Sequence, residues 1–135
     1  MATRVYVAGG FKYKSLVNEV QEMLRGLGYA ISHDWTAFEH ADADRTVEEC
    51  ARYSELDMEG VRSADFVVAV FNDNDYPYRG TFAELGGAII GGKRVYVLDL
   101  MGPEADAGIR QTPFFHDKAT RRVRSLDQLR NALGH

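Results

Sequence analysis

The chain has 135 residues, of which 45% are apolar and 27% charged, with a net charge of −4, a composition that suits one globular domain around a single core. No run of about 18 apolar residues occurs, which excludes a helical membrane span, and the acidic balance argues against nucleic acid as a partner, which normally selects a basic surface. The start, MATRVYVAGG, enters a strand pattern with no signal-peptide core, so the cytoplasm is the expected compartment.

Arg4 to Ala8 (RVYVA) predicts a buried first strand, because it is short, apolar and rich in β-branched and aromatic residues, and Gly9 and Gly10 stop it. From Ser15 onward Leu16, Val17, Val20, Met23, Leu24 and Leu27 recur at helical spacing, with Gly28 where a helix would end. Tyr29 to Ser32 (YAIS) predicts a second strand. The stretch HDWTAFEHADADRT after it has no period and reads as a long loop holding the only Trp and two of the four His. A second helix is expected from about Thr46 to Ser63, with Val47, Cys50, Ala51, Ser54, Met58 and Val61 on one face and Asp57 beside it. Cys50 is the single cysteine, so neither an internal disulfide nor a CxxC metal pair can form.

Asp65 to Phe71 (DFVVAVF) is apolar without alternation, as in a parallel strand covered on both faces. The loop NDNDYPYRG leads to a helix from about Thr81 to Ile90, and Arg94 to Leu98 (RVYVL) predicts the next buried strand. That β-α-β unit is right-handed and parallel. Beyond it, MGPEADAGIRQTPFF reads as a loop, ATRRVR as a short edge strand, and SLDQLRNAL as a closing helix with Ser125 and Gln128 spaced as a capping box. The cations of KATRRVR read as a solvated face. The sum is one α/β domain over 1–135: a doubly wound, mainly parallel sheet of about five strands with helices on both faces, flavodoxin- or Rossmann-like.

The helix from Thr81 holds a question. T-x-x-E at a helix start is a capping box that satisfies two backbone N–H groups, yet Glu84 would also lie at the carboxyl ends of the strands, where ligands of open parallel sheets bind. There the helix dipole would keep a first-turn carboxylate charged and available as a nucleophile. Gly86 and Gly87 follow in the helix interior, where each costs about 1 kcal/mol relative to Ala. Such a cost points to a close approach by a sheet, a partner helix or a ligand.

Over roughly residues 4 to 100, three segments together resemble the nucleoside 2-deoxyribosyltransferases and the related deoxynucleoside 5′-monophosphate N-glycosidases: VYVAGGF, LDMEGVRSADFVVAV and GTFAELGGAIIGGKRVYVL. The resemblance implies that Glu84 attacks C1′ of the deoxyribose to give a covalent glycosyl-enzyme. It implies that Asp57 assists proton transfer at the leaving base and that Tyr6 orients the nucleophile. These residue types suit the reaction, which needs an anion facing an oxocarbenium-like carbon and a proton source near the base.

The same resemblance places substrate against Gly9, Gly10, Phe11 and Lys12 of the first turn and against Tyr78, Arg79, Gly80 and Thr81 before the nucleophile. Transferases of the family often carry an acidic residue six positions before the glutamate, where this chain has Tyr78. In the nucleotide-hydrolase branch, hydroxyl residues and an arginine receive a 5′-phosphate, and here Lys12, Lys14 and Arg79 are the cations at hand. Tyr76 and Tyr78 are candidates for stacking on a base or for packing the turn around Pro77.

His33 and Asp34 end the second strand, as crevice or structural groups, while His40, His116 and His135 lack metal-ligand spacing. No metal or cofactor is expected, and GGFKYK is neither GxGxxG nor a P-loop. The expected partner is a small nucleoside or nucleotide, with neither nucleic acid nor membrane, and the family implies a homo-oligomer, a dimer or larger. Two other functions fit the same residues: a nucleotide-sensing module without turnover, and a phosphoribohydrolase-like N-glycosidase acting on a ribonucleotide or NAD, which GTxxE also resembles.

Overall fold

The computed structural model describes residues 2–38, 44–103 and 106–135; His40 and its neighbours from 39 to 43 lie outside them. The β-branched and aromatic runs form β1 (Arg4–Ala8), β2 (Ala30–Ile31), β3 (Phe66–Phe71), β4 (Arg94–Asp99) and β5 (Thr120–Val123). They join one sheet in the order β2-β1-β3-β4-β5, with every neighbouring pair parallel. All six residues of β3 are buried, as its unbroken apolar run requires when helices cover both faces.

Four helices connect or close the sheet: α1 (Lys14–Gly26), α2 (Val47–Ser63), α3 (Arg79–Ile90) and α4 (Leu126–Ala132). From β1 the chain turns one way to β2 and then returns past β1 to β3, so the order of strands reverses between β1 and β3. At such a switch point the loops after the two strands diverge and leave a crevice. Right-handed crossovers place α2 and α3 side by side on one face, where they touch.

Several expectations change in detail. The second strand is two residues long instead of four: Ala30 and Ile31 pair with Arg4 and Val5 of β1, and the pairing ends at Ser32, whose N–H still reaches the Val5 carbonyl at 2.9 Å while its hydroxyl donates to the Gly60 carbonyl at 2.7 Å. The loop beyond Met101 contains two short 3-10 turns, Gly108–Gln111 and Pro113–His116. Ser125 accepts the Gln128 N–H at 3.0 Å, but Gln128 reaches back to the Arg124 N–H at 2.7 Å and not to that of Ser125, so the capping box is shifted by one residue.

The cations after Lys118 are not simply a solvated face. Arg122 places Nη2 at 2.6 Å from Asp99 at the end of β4, and Arg110 approaches the same carboxylate with Nε at 2.9 Å. Both Asp99 and Arg110 are buried.

On α2 only the C-terminal part of the expected apolar face is covered. Val61 is buried and Met58 half-buried, whereas Val47 is 83% exposed and Cys50, Ala51 and Ser54 are exposed. The helix is turned so that Tyr53 and Asp57 face a cavity instead. Its start is held by a capping box, with Thr46 accepting the Glu49 N–H at 3.1 Å and Glu49 accepting that of Thr46 at 3.3 Å.

Where α2 meets β1 the approach is close enough to need glycine. A Cβ on Gly60 would stand 2.7 Å from the His33 Cβ and 2.8 Å from the Tyr6 ring. Gly60→Ala is therefore expected to destabilise the fold by about 1–3 kcal/mol through overpacking. A urea midpoint equal to that of the wild type would show that α2 can retreat from β1.

Candidate active site

Three elements bring three side chains together. Tyr6 projects from the buried β1 and donates its hydroxyl to Glu84 Oε2 of α3 at 2.8 Å. Asp57 of α2 lies close enough to Glu84 that each carboxyl acts on the other's ionisation. The close α2–β1 approach at Gly60, one turn after Asp57, permits this placement.

The position of Glu84 depends on how α3 starts. Tyr78 stands at the N-cap with φ 52° and ψ 39° and with no side-chain cap, a left-handed conformation that is strained for a bulky residue. Its ring is 1% exposed, packed 4.9 Å from Phe71 and 4.8 Å from Tyr76. Its hydroxyl accepts the N–H groups of Asn72 and Asp73 and donates to Asn72 Oδ1, each at 2.9 Å. These bonds tie the turn after β3 to the start of α3 and hold the strained residue in place.

With the helix beginning at Arg79, Thr81 is its third residue and Glu84 its sixth. The capping box expected of Thr81 and Glu84 does not form. Glu84 binds Tyr6, and Thr81 Oγ1 is buried with no hydrogen-bond partner among the described residues. The expected dipole-stabilised anion is corrected as well, because Glu84 sits in the second turn, beyond the reach of the helix end. Burial first and the Asp57 charge second push the Glu84 carboxyl well above the ordinary range, against a partial pull downward from Tyr6.

Asp57 is also raised, by burial, although His33 opposes the shift. His33 Nε2 stands 3.6 Å from Asp57 Oδ1. The Tyr6 hydroxyl is raised by burial and by the two carboxyls, so it remains a proton donor. Two carboxyls this close in a low-dielectric site hold one proton between them over a wide pH range.

Above them opens a cavity of about 450 Å³. Gly9, Gly10 and Phe11 after β1, Asp57 of α2, and Tyr78, Arg79, Gly80, Thr81 and Glu84 around the start of α3 all line it. Of the other residues expected at the site, Tyr6 supports Glu84 through its hydroxyl, and Lys12 does not line the cavity. Lys12 lies 5.7 Å over the Tyr13 ring, while Lys14 donates to the Phe38 carbonyl at 3.1 Å. The two rim loops touch through the edge of Tyr13 on Tyr76, and the Tyr13 hydroxyl donates to Asp73.

Trp35, Phe38, Arg45 and Tyr53 also line the cavity, and sequence reasoning did not assign them to it. Trp35 and Phe38 lie in the loop that showed no period, where the density of aromatics was the available signal. Tyr53 and Asp57 are four residues apart on α2 and so share a face. Among the described residues no group of His, Cys, Asp and Glu could hold a metal ion, and no helix is long and apolar enough to cross a membrane.

The model of the nucleoside 2-deoxyribosyltransferase family matches residues 5–111. The chain belongs to that family. Its fold is that of a 2-deoxyribosyltransferase from the psychrotolerant bacterium Bacillus psychrosaccharolyticus, with a TM-score of 0.75 and 20% identity over 96% of this chain and 91% of the other. A Clostridium botulinum CMP N-glycosidase superposes with a TM-score of 0.62 and 17% identity, covering 98% of this chain and 100% of the other. At such identities the likeness establishes the fold alone, and no curated protein matches the chain significantly in sequence. Membership makes the chain an enzyme of the nucleoside 2-deoxyribosyltransferase type.

A buried carboxyl raised in this way should cost stability as the pH rises. Below the ordinary glutamate pKa of 4.5 both the folded and unfolded chains are protonated at Glu84 and no penalty exists. As pH rises toward the elevated folded value, only the unfolded chain releases the proton, so stability falls. Glu84→Gln is expected to raise stability at pH 8, with the gain shrinking toward pH 4.5. Urea unfolding of both proteins across this range is the measurement, and a variant less stable than wild type at pH 8 would contradict the buried-charge account.

Proposed function

We propose that the enzyme cleaves or exchanges the N-glycosidic bond of a 2′-deoxynucleoside or its 5′-monophosphate through a glycosyl-enzyme on Glu84. The observation that carries this reading is the buried Tyr6–Glu84 hydrogen bond of 2.8 Å beside Asp57. In the productive state the shared proton sits on Asp57 and Glu84 is ionised.

A Glu84 oxygen then forms a bond to C1′ as the C1′–N bond breaks. The bonding pair passes to the base nitrogen, and the proton of Asp57 moves to the base. In the second half, water or the N–H of an incoming base attacks C1′ and displaces Glu84, and Asp57 takes up the proton that is released. Tyr6 orients the nucleophile throughout and donates to the carboxylate as its charge returns.

At the phosphate end, the unpartnered Thr81 hydroxyl, the first N–H groups of α3 and Arg79 border the same cavity. Helix N-termini with a hydroxyl and a guanidinium suit a phosphate, which favours the 5′-monophosphate over the nucleoside. Arg79→Ala should then lower kcat/KM for monophosphates more than for nucleosides, and an equal loss for both would remove the phosphate from the proposal.

Glycines in α3 bear on assembly. The close approach by a sheet that Gly86 and Gly87 suggested is not what the fold uses: a Cβ on Gly86 would meet nothing within 4 Å, and one on Gly87 only the Met58 sulfur at 3.9 Å. Ile90, on the same helix, is 90% exposed, as is most of Val47 on α2. These features support a homo-oligomer formed along α2 and α3, which sedimentation at micromolar concentration reads directly.

The decisive assay is release of free base from deoxynucleosides, their 5′-monophosphates, ribonucleotides and NAD, each with and without a second base. Glu84→Ala should abolish turnover, and Asp57→Asn should slow it about 10²–10⁴-fold. The wild-type pH profile should be bell-shaped, since Glu84 must be ionised and Asp57 protonated. Base release by Glu84→Ala at the wild-type rate would rule out the glycosyl-enzyme.

A further inference from the structure

The cavity holds a charged group that the cleavage chemistry leaves without a task. Arg45 places its guanidinium carbon 4.6 Å from the ring centre of Phe11 and 5.0 Å from that of Tyr53, so its charge lies against two aromatic rings. Tyr53 is itself stacked on Phe38, with ring centres 3.8 Å apart and planes within 7°. Phe11 leans on Trp35 at 6.1 Å. All five side chains line the cavity.

A nucleotide offers this cavity two dissimilar ends. Its phosphate matches the start of α3, which has backbone N–H groups, Thr81 and Arg79. Its flat base matches the aromatic group, since bases stack on aromatic rings whatever their sequence identity. Stacking alone does not tell one base from another. Discrimination needs a directional group among the rings, and Arg45 is the charged one there.

The placement along α2 agrees with this division. Tyr53 stands one helical turn before Asp57, and the Arg45 charge acts on the Asp57 carboxyl. A base receiving its proton from Asp57 therefore lies within the influence of Arg45. A guanidinium has five donors and no acceptor, so it pairs with an edge that presents two neighbouring acceptors and opposes an edge that presents an amino group.

We propose that Arg45 reads the base, selecting one with two adjacent acceptors, the O6 and N7 edge of a 6-oxopurine or the O2 and N3 edge of cytosine, against adenine. The proposal rests on the N-glycosidase reading for its choice of a nucleotide as ligand. Arg45 belongs to no family segment quoted above and lies at the entry of α2, just before its cap.

Trp35 is the only tryptophan of the chain and lines the cavity, so its fluorescence reports occupancy without any need for turnover. Wild type, Arg45→Ala and Arg45→Lys are titrated with the 5′-monophosphates of 2′-deoxyguanosine, 2′-deoxycytidine and 2′-deoxyadenosine. Wild type should bind the guanine or the cytosine nucleotide more tightly than the adenine one, and whichever of the two binds better names the edge that is read. Arg45→Ala should reduce that preference about 5- to 100-fold, the range of one bidentate base contact. Arg45→Lys, which keeps the charge and the aromatic contacts but not the fork, should lose it as well.

An equal weakening for all three nucleotides would make Arg45 a prop for Phe11 and Tyr53 and overturn the proposal, as would an unchanged preference or a wild type that favours adenine. Should Arg45→Ala fail to fold, the lysine variant decides alone. Base release by wild type from the same nucleotides separates the two levels. Binding with the expected preference but no release overturns the N-glycosidase reading and leaves Arg45 as the base reader, whereas release with no base preference overturns only the role of Arg45. No response to any of the three overturns both.

Discussion

The hydrogen bond from Tyr6 to Glu84 is the contact on which the rest of the site depends. It joins the centre of the sheet to the helix that bears the carboxylate, and it is buried. A carboxyl with one donor and a second carboxyl nearby, taken out of water, favours the protonated form. Glu84 and Asp57 thereby become two carboxyls that resist ionising together, the arrangement on which the proposed acid-assisted cleavage rests.

Asp99 is a useful contrast within the same molecule. Burial raises its pKa too, but hydrogen bonds and charge from Arg110 and Arg122 outweigh burial and hold it below the ordinary range. Glu84 stands on α3 and Asp99 at the end of β4, and their partners decide the outcome. Asp99, favoured as an anion, ties β4 to the loop carrying Arg110 and to β5, whereas Glu84 has a tyrosine and an aspartic acid for company, and burial with the Asp57 charge favours its protonated form.

Holding such a pair needs rigid surroundings. The turn after β3 is pinned by the Tyr78 hydroxyl on two backbone N–H groups, which keeps a left-handed residue where α3 begins and sets the rotation of Glu84. On the other side Gly60 lets α2 close on Tyr6. Strain in the turn and close packing at the glycine both serve the geometry of the carboxyls and contribute little to the hydrophobic core, consistent with local rules being broken where a site is built.

Much of this was legible in the residues. The apolar runs RVYVA, DFVVAVF and RVYVL determined three central parallel strands, because only a strand covered on both faces tolerates an unbroken apolar sequence, and their alternation with helices determined the α/β class. The ELGG segment and Asp57 pointed to the carboxyl pair through their family. What periodicity could not decide was where α3 starts: T-x-x-E is the local signal of a cap, and the Tyr78 lock, a contact between the turn and the end of β3, moved the helix start two residues earlier. Nor could it decide the charge of Glu84, since a pKa depends on desolvation and on a neighbour from another helix, or the wall of Phe38 and Tyr53 with the Arg45 cation on it, which comes from a loop without period and a helix that turns Tyr53 inward. Local patterns determined the elements, and the meeting of β1, α2 and α3 decided the chemistry, because burial and proximity between distant residues exist only once the chain has folded.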